Sequence, residues 1–209
     1  MDTGDRDYAA GYGFSSVSSV SSAVESPMLL SRTTISTPLG DMLALASDEG
    51  LCALEFTTVE GRNTGQERLT RLNARLRRWF PPHEIVDRET PATACARAWL
   101  TAYFRGTSAR IDDLPLDMRG AAFEKRVWVA LRAIPPGETT SYGAIARALG
   151  AAGASRAVGA ANGANPIAII VPCHRVIGAS GALTGYGGGI DRKTWLIDHE
   201  RRWRANALF

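Results

Sequence analysis

Cysteine and histidine are scarce in this chain. Three of each are scattered over 209 residues, as Cys52, Cys95 and Cys173 and as His83, His174 and His199. No CxxC pair occurs, and three widely separated cysteines do not make a disulfide framework. A tetrahedral zinc site would have to gather distant ligands without any of the usual short spacings, so no metal is expected. Long apolar runs are missing too. None reaches the roughly 18 residues that a spanning helix needs, so no membrane association is expected. The first 26 residues lack the basic start, apolar core and cleavage site of a secretory signal, which leads to the expectation of an intracellular, cytoplasmic chain. Lysine is nearly absent: Lys125 and Lys193 are the two present, and arginine carries the remaining positive charge.

What is present is the composition of an ordinary globular protein, 45% hydrophobic and 22% charged. The net charge of +3 hides an asymmetry. Residues 1–26 hold one arginine against four acidic side chains, and residues 27–114 balance. Residues 115–209 carry twelve basic against six acidic side chains. A polyanion would dock on that last third, although a solvated basic surface would give the same count.

Residues 1–26 contain seven serines and little periodic apolar pattern, so they are expected to form a disordered tail. From Leu29 the pattern turns to strands, expected over Leu29–Thr37, Met42–Ala46 and Leu51–Phe56, with turn chemistry between them. Helical spacing follows over Glu67–Phe80 through Leu69, Leu72, Leu76 and Phe80. It returns over Thr93–Phe104 through Ala94, Ala98, Tyr103 and Phe104. Residues 27–110 thus read as a small α/β domain, with Cys52 and Cys95 on apolar positions as inert core residues. Ile111–Arg119 reads as the linker that opens the second domain, 111–209.

In that domain a helix is expected over Ala121–Ile134, and a second, capped by Ser141 or Thr140, over Tyr142–Leu149 with Gly150 at C′. A third runs over Ser155–Asn162. Two short helices joined by a tight turn in a basic segment suggest a helix-turn-helix. The third helix is bare: Ala157, Gly159, Ala160, Ala161 and Gly163 leave Arg156 and Asn162 as its long polar side chains. Such a helix permits close backbone approach to nucleic acid while reading little sequence, and it equally suits tight interior packing.

Asn165-Pro166 opens an apolar run expected as a strand, Ile167–Val171, which delivers Pro172-Cys173-His174-Arg175. Neighbouring cations favour a thiolate, whose ordinary pKa is about 8.5. The glycine-rich loop Gly185–Gly189 could let backbone NH groups approach a ligand. Asp191 is the expected N-cap of a last helix carrying Trp195, Leu196 and His199-Glu200.

These stretches carry a resemblance. Ser141-Tyr142-Gly143, Ser155–Gly159, Asn165-Pro166, Ile170–Val176, Gly185–Gly188 and His199-Glu200, in this order, resemble the catalytic domain of the O6-methylguanine-DNA methyltransferases over nearly all of 111–209. Residues 27–110 are similar in pattern to the family's ribonuclease-H-like domain. The resemblance implies an α+β two-domain protein whose second domain is a mainly helical winged helix-turn-helix. It implies Cys173 as alkyl acceptor, His174 as its base through a water, Glu200 as the carboxylate that orients the imidazole, Asn165 as a brace of the reactive turn, and Tyr142 as donor to guanine N3. It further implies that the Val176 carbonyl, the Tyr186 side chain and the Gly187 NH contact the base, and that Arg156 fills the gap left by the flipped nucleotide. Arg156, Ala157, Gly159, Ala160, Gly163 and Arg175 would face duplex DNA in the minor groove, with little dependence on sequence. The implied protein is a nucleoid-associated prokaryotic monomer, needing no cofactor. Position 187 is glycine where relatives often have serine, and the N-terminal zinc ligands of some relatives are missing.

The chemistry agrees. O6 of guanine is inside the duplex, so a buried thiol reaches it only after the nucleotide is extruded. The thioether product resists water, so the nucleophile is consumed. A cysteine hydrolase and a non-catalytic helix-turn-helix lesion binder or regulator are the rival readings. Catalytic Cys and His usually converge from separate segments, which disfavours the hydrolase.

Overall fold

The computed structural model describes Met1 and residues 26–58, 64–107 and 114–206. Residues 2–25 of the expected disordered tail and the linker's start, Ile111–Asp113, lie outside the described residues.

Strands β1 (Met28–Ile35), β2 (Met42–Ser47) and β3 (Gly50–Phe56) form the expected antiparallel meander. A fourth strand, β4 (His83–Asp87), was not anticipated; it adds parallel to β1 and completes the order β3-β2-β1-β4. It is an edge strand with no fully buried side chain, so its sequence has no apolar alternation to betray it. The sheet is covered on both faces. Leu30, Leu45 and Cys52 pack against Leu72, Leu76 and Phe80, which belong to helix α1 (Thr64–Trp79) and the residue that follows it. Ile35, Met42, Ala44, Leu51 and Leu54 pack against Ala96, Trp99, Leu100 and Tyr103 of helix α2 (Pro91–Phe104).

Helix α2 starts at a capping box, in which Thr90 and Thr93 exchange side-chain and backbone hydrogen bonds, with Pro91 at its first position. Its buried face differs from the expected one. Ala92, Ala96, Trp99, Leu100 and Tyr103 point inward, whereas Ala94, Cys95 and Ala98 are exposed. The large side chains set the phase because they bury far more area than alanines, and Cys95, about 100° away from Ala96, turns to solvent.

Helix α3 (Ala122–Arg132) buries Val127, Trp128 and Leu131, and the Trp128 indole donates to the Ala161 carbonyl at 2.9 Å. Helix α4 (Tyr142–Ala148) is capped by Ser141, whose hydroxyl accepts from the Ala144 NH, and Gly150 takes the left-handed conformation after it, at φ 69°. Helix α5 (Ser155–Gly163) packs on both α3 and α4. Two short strands, β5 (Thr140–Ser141) and β6 (Val176–Ile177), pair in parallel, and helix α6 (Ile190–Asn206) closes the chain. Asp191 lies inside α6 rather than at its cap, because Ile190 is already helical.

The two halves share one core. Leu114–Asp117, expected as linker, runs beside β3, with Leu51 NH donating to Pro115 O and Asp117 NH to Leu51 O. Farther along the same edge, Leu54 exchanges backbone hydrogen bonds with Pro166 and Ala168. The segment leading to Cys173 is therefore docked on the sheet of the first half.

Candidate active site

The run from Ile167 to Val171 is a tight coil and not the expected strand. Ile167 makes one bridge to Leu54 and the chain then turns, with Ile169 in the left-handed region at φ 68°. A β-branched residue there costs about 1–3 kcal/mol and persists only where its surroundings enforce it. Asn165 is the enforcer. Its buried side-chain amide donates to the Val171 carbonyl at 2.8 Å, and its oxygen accepts from the Ile167 NH at 3.0 Å. All five apolar side chains are buried, so the run reads as a core strand although, past the Ala168 bond to Leu54, its backbone bonds are local.

The coil ends in a single 3-10 turn, Cys173–Arg175. Cys173 is 7% exposed, His174 and Glu200 are fully buried, and Glu200 reaches the turn from α6. Five donors converge on its carboxylate. Oε1 accepts from His174 Nε2 at 2.8 Å, from an Arg175 Nη at 2.8 Å and from the Tyr103 hydroxyl at 2.7 Å. Oε2 accepts from Arg175 Nε at 2.9 Å and from the Gly137 NH at 3.0 Å. Burial alone would push this carboxyl up, but the bonds and charges of His174 and Arg175 outweigh it and hold it well below the usual carboxylate range. Burial pulls the His174 pKa down, and the neighbouring carboxylate only partly restores it. A carboxylate can only accept, so Nε2 carries the imidazole proton and Nδ1 the lone pair. Nδ1 is buried and has no hydrogen-bond partner among the described residues, as a group that takes up a proton requires.

Arg175 was expected to face DNA. It is instead 3% exposed, with its guanidinium on Glu200 and the Ile134 carbonyl, because a buried carboxylate needs a buried cation.

The pairing of β5 with β6 sets Thr140 opposite Val176 and Ser141 opposite Ile177, and so brings Tyr142 to the reactive segment. Tyr142 is half-buried beneath α5: a Cβ on Gly159 would sit 3.8 Å from its ring. Arg156, Ala157, Ala160 and Gly163 are exposed on the outer face of α5, while Val158, Ala161 and Asn162 point inward. In the glycine loop Tyr186 meets the His174 ring edge-on, 6.4 Å between centroids, and Gly187 is exposed. Gly188 admits no side chain, since a Cβ would lie 2.6 Å from the Tyr186 ring. Arg192 pins this loop to the first half by donating to the carbonyls of Gly188, Leu39 and Thr58 over the Phe56 ring.

Two participants escaped the sequence reading. Lys193 is fully buried, with its ammonium between the carbonyls of Val176 and Thr184, each at 2.7 Å, and burial lowers its pKa while the charge of Cys173 opposes that shift. Its one signal was being one of only two lysines. Tyr103 gave no signal beyond an apolar helix position. Among the described residues no group of three or more His, Cys, Asp or Glu side chains could hold a metal ion, and no helix is long and apolar enough to cross a membrane.

A sheet-and-helix domain docked on a helix-turn-helix domain, with a buried cysteine next in sequence to a buried imidazole–carboxylate pair, defines a DNA-binding class of protein. Residues 30–118 match the ribonuclease-like domain of 6-O-methylguanine DNA methyltransferase, and residues 122–202 match its DNA-binding domain. A methylated-DNA–protein-cysteine methyltransferase from Salmonella typhimurium is 45% identical over 167 residues, 79% of this chain and 92% of that one. One from Mycolicibacterium paratuberculosis is 63% identical over 124 residues, 59% of this chain and 74% of that one. Among solved structures, Mycobacterium tuberculosis OGT in complex with DNA superposes with a TM-score of 0.65 at 43% identity, covering 84% of this chain and 94% of that one. The chain belongs to the 6-O-methylguanine DNA methyltransferase family.

Proposed function

We propose that this protein repairs DNA by direct reversal, moving the alkyl group from O6 of guanine to the sulfur of Cys173. The observation that carries this reading is the buried His174–Glu200 pair next to Cys173, its imidazole lone pair unengaged. In the transfer, a bond forms between sulfur and the alkyl carbon and the bond from that carbon to O6 breaks. The thiol proton passes to His174, and the guanine leaves with its negative charge met by hydrogen-bond donors.

The remaining roles belong to the same proposal. Arg156, exposed on α5, would fill the gap of an extruded nucleotide, and the small outer face of α5 suits a minor-groove surface without base reading. The Tyr142 hydroxyl would meet guanine N3, the Tyr186 side chain and Gly187 NH would approach O6, and the Val176 carbonyl would accept from the amino group. We propose a two-domain division at residues 27–110 and 111–209, and a cytoplasmic, nucleoid-associated monomer.

Intact-mass analysis after incubation with an O6-methylguanine duplex tests the reaction. Each molecule should gain one methyl group and then stop, and Cys173→Ser should gain none while still binding DNA. Several product equivalents per protein would contradict a self-consuming transferase and favour a cysteine hydrolase. Duplex binding without any mass gain would favour a lesion binder.

A further inference from the structure

We propose that Tyr103, contributed by the ribonuclease-like half, is a positioning residue for alkyl transfer: its phenol O–H holds the Glu200 carboxylate in the state that His174 needs to accept the Cys173 proton. This rests on the reading of Cys173 as the alkyl acceptor.

The phenol is 1% exposed and donates to Glu200 Oε1 at 2.7 Å. Its ring cannot swing away, since it stacks on Trp99 at 5.2 Å and meets Phe104 and Trp203 edge-on. Burial and the Glu200 charge both push its pKa far above that of free tyrosine, so it remains a donor throughout the working range of pH. A buried hydroxyl needs some acceptor, and any backbone carbonyl would serve that purpose. This one sits on the oxygen that also holds the His174 Nε2 proton. Two donors on one carboxylate oxygen compete for its charge. Each extra donor weakens the field that the oxygen exerts on the imidazole, and so weakens the pull towards imidazolium.

The other titratable groups facing this pair are Cys173 and Arg175 on the 3-10 turn, Lys193 and His199 on α6, and Tyr186 in the glycine loop. Arg175 and Lys193 disfavour imidazolium, and the His199 ring lies 5.4 Å from that of Tyr103 while its Nε2 is bonded to the Tyr103 carbonyl. Apart from His174 itself, Tyr103 is the one described side-chain donor to Glu200 whose removal changes no formal charge. Deleting its hydroxyl should leave Glu200 less quenched and His174 more basic. The imidazole would then hold a proton at a pH where it should be free to take one.

The test uses the full chain with an O6-methylguanine duplex under single-turnover conditions, comparing wild type with Tyr103→Phe. If the wild type places no methyl on Cys173, the reading of function fails, whatever Tyr103 does. With an active wild type, the acid limb of the rate profile should move up by about 0.5–1 pH unit, a fraction of what one hydrogen bond to a charged acceptor contributes, because His174 feels the loss only through Glu200. At pH values below the wild-type acid limb, transfer should then fall about three- to tenfold, while the alkaline plateau changes less than about twofold and duplex affinity holds. A folded variant with an unmoved acid limb overturns the proposal, because a purely structural hydroxyl would alter stability and not the profile. Should Tyr103→Phe fail to fold, the wild type still decides through nitrogen-15 chemical shifts of the His174 ring. A neutral ring protonated on Nε2 at neutral pH supports the proposal, and an imidazolium there refutes it.

Discussion

Cys52 and Cys173 are 1% and 7% exposed, almost equally shut off from water, yet they sit in opposite electrostatic surroundings. On β3, Cys52 donates its S–H to the Leu45 carbonyl, and burial, aided by the charge of Asp117, pushes its thiol up to about 12. Such a thiol stays protonated and behaves as a small hydrophobe. Cys173 sits on a turn whose next two residues bind a buried carboxylate, and its charge favours the charged form of the buried Lys193. Burial alone silences a cysteine. A buried thiol that is to react needs cations and a proton acceptor built around it, and the groups gathered beside Cys173 are drawn from both halves of the chain.

Breaking the Cys173 side of this contrast should have the largest effect. Glu200→Gln should slow transfer about ten- to a thousandfold, the range of a positioned acid–base group, with duplex affinity nearly unchanged. The same change makes a stability prediction with a definite sign. The Glu200 pKa is held below its unfolded value, so the carboxylate stabilises the fold above the unfolded value of about 4.3, and this is lost as pH falls through the folded value. The melting-temperature gap between wild type and Glu200→Gln should therefore be wide at neutral pH and close in acid. A gap independent of pH would mean that Glu200 only fills space.

Arg156→Ala comes next. Repair in duplex DNA should slow about tenfold, while reaction with free O6-methylguanine base changes less than about twofold, since the free base needs no extrusion. Equal losses on the two substrates would assign Arg156 to folding or chemistry. The smallest effect belongs to the silent cysteine. Cys52→Ala should leave the transfer rate unchanged and cost about 1 kcal/mol of stability, seen as a modest fall in melting temperature. A lost transfer rate would erase the contrast between the two thiols.

How far the sequence carried these conclusions differs by element. Helices α3 and α4 were legible because large apolar residues mark the phase of the first, and a cap at Ser141 or Thr140 together with Gly150 marks the ends of the second. The phase of α2 was misread because Ala94 and Ala98 have little area to bury, and Cys95 went to the surface with them. The apolar run Ile167–Val171 imitates a strand, since periodicity registers burial and not backbone direction; its coil depends on Asn165 bonding the backbone at Ile167 and Val171. The contact between His174 and Glu200 was legible through resemblance alone, as a carboxylate 26 residues beyond the histidine has no local signature. Arg175 was read as facing DNA because a sequence shows a charge and not its partner.

The most direct measurement is peptide mapping of all three cysteines after reaction with excess O6-methylguanine duplex. The account predicts one methyl per molecule, carried entirely on the peptide containing Cys173, with Cys52 untouched in its core and Cys95 untouched despite its exposure. Methyl found on Cys52 or Cys95, or shared among the three, would contradict the claim that the network around the turn, and not access or burial, makes one thiol the acceptor.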